Sequence, residues 1–439
     1  MRFPPFKTYV DTQVPWLPKA PKHWDISKPK YYLRVVGSGS ETKSNVYQTP
    51  EPDTYPAFSA SGQDVWMDQW AYNQKALILS AVGARSGKTF IANGKWNVVA
   101  NTQVIFLNYN ADQKYFWYLT NNPDWWEKGG AAQPYVLTAS TLQRKWAFPP
   151  IEEQQKIAQF LDYQTTKIDR LIEKQQRLIE LLEEKRKRVI SEGVTRGLDS
   201  KVSLKGTGLT WISELPSQWK LLPLKRVVLL LTSGPRGWGD LYNEDGAVFL
   251  QSGNLLGDMT VDFSRINRIS LPSGSEASRA KVSKGDVLLC ITGAKTGNVG
   301  YISQLPEETY LNQHLALLRP DPDKIDGEFL GFFLFSSIGQ YQLNLEQYGL
   351  KKGLSFEGII NLLVPVPPIF EQIRIVENIK EQLANLESLG KKLKEQVGLL
   401  EEHRQALVSS AVTGKIDVRD WEPPVTEPEE SDPAEALNG

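Results

Sequence analysis

Two mixed α/β domains that alternate with two long helices are the fold that this sequence predicts, so the chain belongs to the α+β class. One stretch, residues 149–191, repeats apolar residues in heptads and has no proline after Pro150. A second stretch repeats the first 218 residues later, and short strand-like runs precede each copy. We expect the two helices to pack as an antiparallel coiled coil, which gives the chain an internal pseudo-twofold axis.

The first long helix, predicted over residues 149–195, is defined by its apolar seam. Pro149 and Pro150 suit the first helical turn, and Gly193 favours an end to the helix. A helix with one apolar stripe needs a partner in water. The seam residues recur at heptad spacing, with two companions between them: Leu161, Ile168, Leu182 and Val189, with Ile172 and Ile179.

The second long helix, predicted over residues 367–413, copies the first at a shift of 218 without a gap. Both copies carry an arginine at the same seam position, Arg186 and Arg404, and a buried arginine needs a carboxylate or a partner protein. One position differs, because Gly390 stands where Ile172 stands in the first copy. The seam of the second helix consists of Ile379, Leu386, Leu393, Leu400 and Leu407.

The repeat extends into the domains before the helices, predicted over residues 1–148 and 196–366. A shift of 195 superimposes their opening segments, pairing Trp16, Pro21 and Trp24 with Trp211, Pro216 and Trp219. Apolar runs bounded by glycine and asparagine predict strands and a helix in each body. The strands are expected at residues 76–82, 98–107, 247–251, 286–292 and 315–320, and the helices at 113–121 and 327–343.

Charge is unevenly distributed along the chain. The formal net charge is −1, but residues 419–439 contribute −6, which leaves about +5 for residues 1–418. We expect residues 414–439 to form an acidic disordered tail, since they hold four prolines and no aromatic residue after Trp421. A mildly basic folded part permits contact with nucleic acid without requiring it.

Composition argues against several function classes. The single cysteine, Cys290, excludes an internal disulfide framework and a cysteine zinc cluster. The chain has only 3 histidines, so no metal site is expected. The first residues lack the apolar core of a signal peptide, and no apolar run is long enough to span a membrane. The chain is therefore predicted to be cytoplasmic.

Residues 83–89, Gly-Ala-Arg-Ser-Gly-Lys-Thr, are similar to a phosphate-binding loop, but they have three residues where such a loop needs four. The matching residues 293–298 of the second domain lack Lys-Thr, so no nucleotide hydrolysis is expected. Two interpretations stay open: a hairpin with solvated charges, or a turn that presents side chains to a polyanion. Those side chains are Arg85 and Lys88 in the first copy, and Lys295 and Asn298 in the second.

Other polar loops are candidates for base or phosphate contact, and each is also compatible with an ordinary surface loop. They lie at residues 37–45, 58–63, 232–240 and 250–254, and two lysines flanked by glycines are candidate phosphate clamps. The complete set of candidate DNA-binding residues is Ser59, Ser61, Gln63, Arg85, Ser86, Lys88, Arg236, Gln251, Asn254, Lys295, Thr296, Asn298, Lys351 and Lys352.

No catalytic constellation is found in the sequence. It lacks an Asn-Pro-Pro-Tyr or Asp-Pro-Pro-Tyr loop for amino-group methylation, a glycine-rich S-adenosylmethionine loop, helicase motor motifs and metal-ligand spacing. The chain is therefore predicted to be a binding protein with no catalytic residue. The alternative to a DNA-binding protein is a coiled-coil adaptor whose two domains bind proteins and not DNA.

The pattern resembles the specificity subunit of type I restriction-modification systems over nearly the whole chain. The resemblance rests on Pro-Pro-Ile followed by Glu-Gln before each long helix, at residues 149–154 and 367–372. Weaker matches lie at residues 55–62, 285–302 and 311–320.

This resemblance implies two target recognition domains, each of which reads one half of a split sequence in double-stranded DNA, with the two helices as a spacer. It also implies partners: two copies of a methyltransferase subunit that modifies adenine, and restriction subunits with translocase and nuclease activity. No cofactor is expected in this chain. S-adenosylmethionine, ATP and Mg would be used only by the partner subunits, and no membrane is involved.

Overall fold

The computed structural model describes residues 3–37, 44–199, 201–272, 274–349 and 353–424. The chain divides into two compact units. The first unit comprises Met1–Gln176 with Glu395–Gly439, and the second comprises Arg177–Lys394. Each unit therefore holds one α/β domain and a segment of each long helix.

The α/β domain of the first unit is built mainly from two sheets. Its strands are β1 (Tyr9–Val14), β2 (Leu17–Pro21), β3 (Asp25–Ser27), β4 (Leu33–Gly37), β5 (Val46–Tyr47), β6 (Tyr55–Ser59), β7 (Gly62–Met67), β8 (Tyr72–Asn73), β9 (Ala76–Ser80), β10 (Thr89–Ala92), β11 (Lys95–Val98), β12 (Thr102–Leu107), β13 (Lys128–Gly129), β14 (Tyr135–Val136) and β15 (Trp146–Phe148). One sheet has the order β10-β9-β12-β4, and the other has the order β5-β7-β6-β11-β8. β6 and β11 are parallel.

The α/β domain of the second unit repeats this plan. Its strands are β16 (Leu204–Leu209), β17 (Ile212–Pro216), β18 (Lys220–Pro223), β19 (Val228–Ser233), β20 (Tyr242–Leu250), β21 (Asn267–Ile269), β22 (Val287–Cys290), β23 (Val299–Tyr301), β24 (Thr309–Leu311), β25 (Leu315–Pro320), β26 (Gln347–Tyr348), β27 (Gly353–Leu354) and β28 (Leu363–Val366). The sheet β23-β22-β25-β19 has the same order as the four-stranded sheet of the first unit, and β21-β20-β24 contains the parallel pair β20 and β24.

The helices are α1 (Gln113–Thr120), α2 (Thr138–Thr141), α3 (Ile151–Arg196), α4 (Ser275–Ala280), α5 (Gly327–Phe335), α6 (Ser337–Leu345), α7 (Phe356–Asn361) and α8 (Ile369–Val412). The two long helices, α3 and α8, contain 46 and 44 residues and begin directly after Pro150 and Pro368. Proline suits that place because the first helical residue needs no amide donor. Within the described ranges, no helix has the length and apolar character that crossing a membrane requires.

Two predicted elements are divided in the structure. The prediction of a single strand over residues 98–107 is wrong, because Asn101 has a φ of +66° and turns the chain between β11 and β12. The helix expected at residues 327–343 consists of α5 and α6. Ser336 separates them, and its hydroxyl accepts a hydrogen bond from the Gly339 amide at 3.1 Å to cap α6.

Buried apolar residues show how a helix packs against the four-stranded sheet in each domain. β9 reads Ala-Leu-Ile-Leu-Ser and is buried along its whole length, as expected for a strand covered on both faces. Aromatic residues fill the core beside it, including Tyr115 and Phe116 of α1. In the second unit Phe329 and Phe333 of α5 take that place. The helix after the four-stranded sheet is therefore the main cover of each sheet.

The long-helix segments also pack on each other inside each unit. In the first unit Arg404 of α8 binds Asp169 of α3, while Gly414, just after the end of α8, and Glu153, at the start of α3, both lie against Trp24. The two segments of that unit therefore run in opposite directions. In the second unit Gly193, near the end of α3, lies against Ile379 in the first third of α8.

The predicted seam residues all lie at buried or half-buried positions. Leu161, Ile379 and Ile168 are 0%, 1% and 7% exposed, and Leu182, Leu393 and Leu407 are 8–9% exposed. The other five are half-buried: Ile172, Ile179, Val189, Leu386 and Leu400.

Both long helices end at a glycine that lies against the opening segment of a domain. Gly414 has a φ of +70°, and a Cβ there would lie 2.5 Å from Cδ of Pro21. Gly197 has a φ of +74°, and its Cβ would lie 3.0 Å from the ring of Trp219. Left-handed backbone and close approach both favour glycine at these positions.

The prediction of a disordered tail is wrong for residues 414–424. Val418 is 1% exposed, the Asp417 amide donates to the Pro4 carbonyl at 2.7 Å, and Trp421 packs on Phe160 with ring centroids 5.3 Å apart. Composition misled the prediction because three apolar residues spaced among charges, Ile416, Val418 and Trp421, pack against the core of the first unit and fix this segment. Residues 425–439 lie outside the described ranges.

Candidate nucleic-acid interface

Each α/β domain has a glycine turn at one end of its four-stranded sheet. In the first domain it comprises residues 83–88 between β9 and β10. Gly83 and Gly87 have φ angles of +98° and +92°, which favour glycine. The Gly87 amide donates to the Ser80 carbonyl at 2.9 Å, and the Lys88 amide donates to the Arg85 carbonyl at 3.0 Å.

The second domain forms the same turn at residues 293–298, between β22 and β23. Gly293 and Gly297 both have a φ of +96°. The Gly297 amide donates to the Cys290 carbonyl at 2.8 Å, and the Asn298 amide donates to the Lys295 carbonyl at 2.9 Å. Each turn joins two antiparallel strands. It therefore lacks the helix N-terminus on which a phosphate-binding loop holds its phosphates.

Each glycine turn contacts a loop from the other sheet of its domain, which we call the adjoining loop. In the first domain the adjoining loop is residues 59–63, and Nη1 of Arg85 donates to the Ser61 carbonyl at 2.7 Å. In the second domain it is residues 251–255, and Nζ of Lys295 donates to the carbonyls of Gly253 and Leu255 at 3.0 and 3.1 Å. The structure thus brings candidate residues from two distant segments together in both domains.

The other candidates of the first domain differ in their access to solvent. Ser59 donates to a carboxylate oxygen of Asp64 at 2.7 Å and accepts from the Ser61 amide at 2.9 Å, so it shapes the loop. Ser61, Gln63 and Lys88 are exposed. Ser86 is only 5% exposed, and this burial removes it from direct contact with a large ligand.

Asn254 is a wrong candidate for reading a base. It is 6% exposed, and its side-chain oxygen accepts from the Gln251 amide at 2.9 Å. Its side-chain nitrogen donates to the carbonyls of Asp262 and Arg265, both at 2.9 Å. An asparagine amide offers two donors, and both are used inside the protein.

The remaining candidates of the second domain lie nearer the surface. Gln251 donates to the hydroxyl of Tyr242 at 2.5 Å, and Asn298 donates to the Leu255 carbonyl at 3.4 Å. Thr296 donates to the Gly293 carbonyl at 2.7 Å. Arg236 is exposed and lies before the 3₁₀ turn Trp238–Asp240. Lys351 and Lys352 lie outside the described residues, as does most of the loop at residues 37–45.

Tyr242 was missed by sequence reasoning. It is 53% exposed beside Gln251, although it lies nine residues earlier in the chain. The long strand β20 starts at Tyr242, but the predicted strand began only at residue 247, so nothing connected the two positions.

Cys290 ends β22, just before the second glycine turn. Burial raises the pKa of its thiol, and the sulfur is 3.4 Å from the Thr292 carbonyl. A thiol kept protonated is a poor nucleophile. Across the described ranges, no group of three or more histidine, cysteine or carboxylate side chains is arranged to hold a metal ion.

The Glu-Gln pair that begins each long helix attaches the helix to its domain, which the sequence did not reveal. Gln154 is fully buried; it accepts from the Asp112 amide at 2.9 Å and donates to the carbonyls of Asn110 and Pro149 at 3.1 and 3.0 Å. Asp112 in turn caps α1 by accepting from the Tyr115 amide at 2.9 Å. The glutamine therefore joins the start of α3 to the start of α1.

Gln372 makes the same three bonds in the second unit. It accepts from the Asp326 amide at 2.8 Å and donates to the carbonyls of Lys324 and Pro367 at 3.0 and 2.8 Å. Asp326 caps α5 through the Phe329 amide at 2.8 Å. The two glutamines form what we call the glutamine clamps.

The glutamate of each pair binds a tryptophan of the opening segment. Glu153 accepts from Nε1 of Trp24 at 2.9 Å and lies 2.7 Å from Nε2 of His23. Glu371 accepts from Nε1 of Trp219 at 3.1 Å. Two motifs that the sequence repeats at different shifts thus meet in space.

Arg404 binds Asp169 through two bonds of 2.7 and 3.2 Å. It also lines a cleft of the first unit that contains Lys88 of the glycine turn and Trp117 of α1. Its counterpart Arg186 is half-buried, and it makes no ion pair within the described part of the chain.

With this geometry in place, the protein can be assigned to a class: a two-domain α/β protein with duplicated surface loops and duplicated long helices. The profile of the family described as "Type I restriction modification DNA specificity domain" matches residues 37–183 and again residues 240–398. The chain therefore belongs to the family of type I restriction-modification specificity subunits, as the sequence predicted.

Curated relatives and solved structures are similar to most of the chain. The MjaVIII specificity subunit of Methanocaldococcus jannaschii is 25% identical over 79% of this chain and 80% of its own length. The EcoBI specificity subunit of Escherichia coli is 25% identical over 64% of this chain and 60% of its own length. The HsdS subunit from Thermoanaerobacter tengcongensis shares the fold, with a TM-score of 0.51, 17% identity and coverage of 90% of this chain and 98% of that chain.

A second solved chain, from a structure of a type I R-M system that addresses complex assembly and conformational transition, has a TM-score of 0.67. It is 16% identical, and the match covers 90% of this chain and 99% of that chain. The two repeated domains are thus a feature of the family fold.

Proposed function

We propose that this protein is the non-catalytic DNA-specificity subunit of a type I restriction-modification complex, in which each α/β domain reads one half of a split target. The observation that carries the proposal is that each domain has the same glycine turn in contact with an adjoining loop, and that the same glutamine clamp attaches each domain to a long helix. The exposed side chains on this shared frame differ, which suits two half-sites of different sequence.

The long helices would set the spacing between the half-sites. We propose that α3 and α8 form an antiparallel coiled coil with a pseudo-twofold axis, supported by the opposite directions of their segments in the first unit. Duplex DNA has a local twofold of its own, so such a protein suits half-sites about one helical turn, or about 34 Å, apart. Exposed cations such as Lys88 and Arg236 would supply phosphate contacts.

Catalysis would belong to the partners. Two methyltransferase subunits would dock on the helices and methylate adenine in each half-site using S-adenosylmethionine. Restriction subunits would add ATP- and Mg-dependent translocation and cleavage in the cytoplasm. This chain would contribute recognition and spacing.

Salt-dependent binding to duplex DNA tests the proposal. Methylation sequencing of the host genome would first identify the split target. Binding of the full chain, with its methyltransferase partner, to that duplex should weaken steeply as salt rises, since phosphate contacts release counterions. Equal binding to target and unrelated duplexes would contradict sequence-specific recognition, and binding to neither would instead favour a protein adaptor.

Exchange of one domain tests whether each domain reads its own half-site independently. Replacing residues 25–148 with the corresponding segment of a relative should change one half-site and leave the other half-site and the spacer unchanged. Conversely, inserting residues within both long helices should change spacer length without altering either half-site. A change in both half-sites after a single exchange would contradict independent readers.

A further inference from the structure

The side chains at the centre of the two glycine turns, Arg85 and Lys295, have a contact that phosphate binding does not explain. Each side chain is exposed, yet Arg85 donates to one main-chain carbonyl of its adjoining loop and Lys295 donates to two. A side chain that clamps a phosphate needs its donors for the ligand. The donors engaged here act on the protein itself.

The contact occurs in both domains although their sequences have diverged around it. The first adjoining loop is a hairpin between β6 and β7, whereas the second contains the 3₁₀ turn Ser252–Asn254. The donor in the first domain is the guanidinium of Arg85, and the donor in the second is the ammonium of Lys295. The same connection made by different chemistry indicates that the connection itself is what each domain requires.

The positive charge of Lys295 suits the main-chain carbonyl oxygens that it binds. Lys295 binds the carbonyls of Gly253 and Leu255, at the end of the 3₁₀ turn, where main-chain carbonyls lack partners from the turn itself. Asn254 holds the same turn from the inside through three hydrogen bonds. Gln251 and its neighbour Tyr242 are thereby fixed at the surface end of this loop.

We propose that Arg85 and Lys295 are positioning residues for base recognition, which hold the adjoining loops of their own domains in the shape that reads DNA. This inference rests on the proposed DNA-specificity function. Base contacts then come from the loops: Ser61 and Gln63 in the first domain, and Gln251 with Tyr242 in the second. An amide side chain can read an adenine edge, and a hydroxyl can bond to several bases.

Substitution of Lys295 by methionine tests the proposal, because methionine keeps much of the apolar length and removes the donors. Binding is measured for the full chain with its methyltransferase partner, against the target duplex and duplexes with single changes in either half-site. We expect Lys295→Met to reduce discrimination in the half-site read by the second domain by about tenfold, comparable to losing a base contact. Discrimination in the other half-site should be unchanged.

The salt dependence of binding separates positioning from phosphate contact. Loss of one phosphate contact lowers the slope of log K against log salt by about 0.9. Lys295→Met should leave the slope unchanged, and Lys295→Arg should restore discrimination because a guanidinium can reach the same carbonyls. Arg85→Met should give the mirror result, with the loss confined to the first domain's half-site.

Lys284→Met is the matched control. Lys284 is exposed and precedes β22, whereas Lys295 follows the same strand, so the two variants remove equal charge from opposite ends of it. The control should keep full discrimination. A lower salt slope with intact discrimination for Lys295→Met would overturn the proposal, as would unchanged binding in every respect. If the wild-type complex binds no duplex, the proposed function itself fails.

Discussion

The first and second domains share a frame and differ in the side chains that complete it. Both have the same strand order in the four-stranded sheet, the same glycine turn and the same glutamine clamp. Against this frame, one adjoining loop carries the exposed Ser61 and Gln63, whereas the other carries Gln251 and a buried Asn254. The difference teaches that the four-stranded sheet, the glycine turn and the clamp are shared, whereas the adjoining loops and their side chains differ.

The largest expected effect concerns the glutamine clamps. Gln154→Leu leaves the Asp112 amide and two carbonyls without partners in a buried site, and should lower the stability of the first unit by about 3 kcal/mol. Gln372→Leu should do the same in the second unit. Urea unfolding, with hydrogen exchange to locate the loss, measures both.

The neighbouring Gln155 provides the control, because it is exposed. Gln155→Leu should change stability by less than about 0.5 kcal/mol. Equal losses for Gln154→Leu and Gln155→Leu would show that the clamp contributes nothing. A loss in one unit only would show that the shared frame is not equally important in both domains.

An intermediate effect is expected at the glycines that end the long helices. Gly414→Ala places a Cβ 2.5 Å from the Pro21 ring in a left-handed conformation, and should cost more than about 1–2 kcal/mol. Gly197→Ala meets Trp219 at 3.0 Å and should cost less. Thermal unfolding of the two variants compares them directly.

Gly398, inside α8, supplies a control of opposite sign. Nothing lies within 4 Å of the position that a Cβ would take there, and the backbone is helical, so Gly398→Ala should stabilise by about 0.5–1 kcal/mol. Should Gly414→Ala also stabilise the protein, the close approach to Pro21 does not limit that position.

The smallest effect on stability is expected for Arg404 and Arg186, which occupy the same seam position in the two long helices. Arg404→Met removes a half-exposed ion pair with Asp169 and should cost at most about 1 kcal/mol. Arg186→Met, which removes no ion pair within the described residues, should be close to neutral. The difference in melting temperature between the two variants should shrink in 1 M salt, because the screening length for exposed charges falls there to about 3 Å. A larger loss for Arg186→Met would reverse the comparison.

The two long helices were predictable because their sequences are periodic. The heptads and the shift of 218 identified both long helices, since a repeated period needs no knowledge of the fold. Local breaks were less visible: Asn101 ends a strand through its left-handed backbone, and Ser336 divides a helix by capping. Both residue types are common elsewhere, so neither marks a boundary on its own.

The site was only partly predictable. Residue type and a place in a polar loop selected Asn254 as a base reader because asparagine often binds adenine, but its hydrogen bonds depend on carbonyls that only the folded loop brings close. The bond between Trp24 and Glu153 joins residues 129 positions apart. Each belonged to a motif that the sequence displayed, yet spacing along a chain does not specify which motifs meet.

The glutamine clamp recognises only main-chain atoms outside its own helix start: the Asp112 amide and the Asn110 carbonyl in one unit, the Asp326 amide and the Lys324 carbonyl in the other. Such a joint is indifferent to most side chains of the domain it holds. Genetic exchange could therefore replace a whole domain between relatives and preserve the junction, provided that the incoming segment keeps a helix start of the same shape. New specificities would then arise by recombination more readily than by the gradual remodelling of one surface.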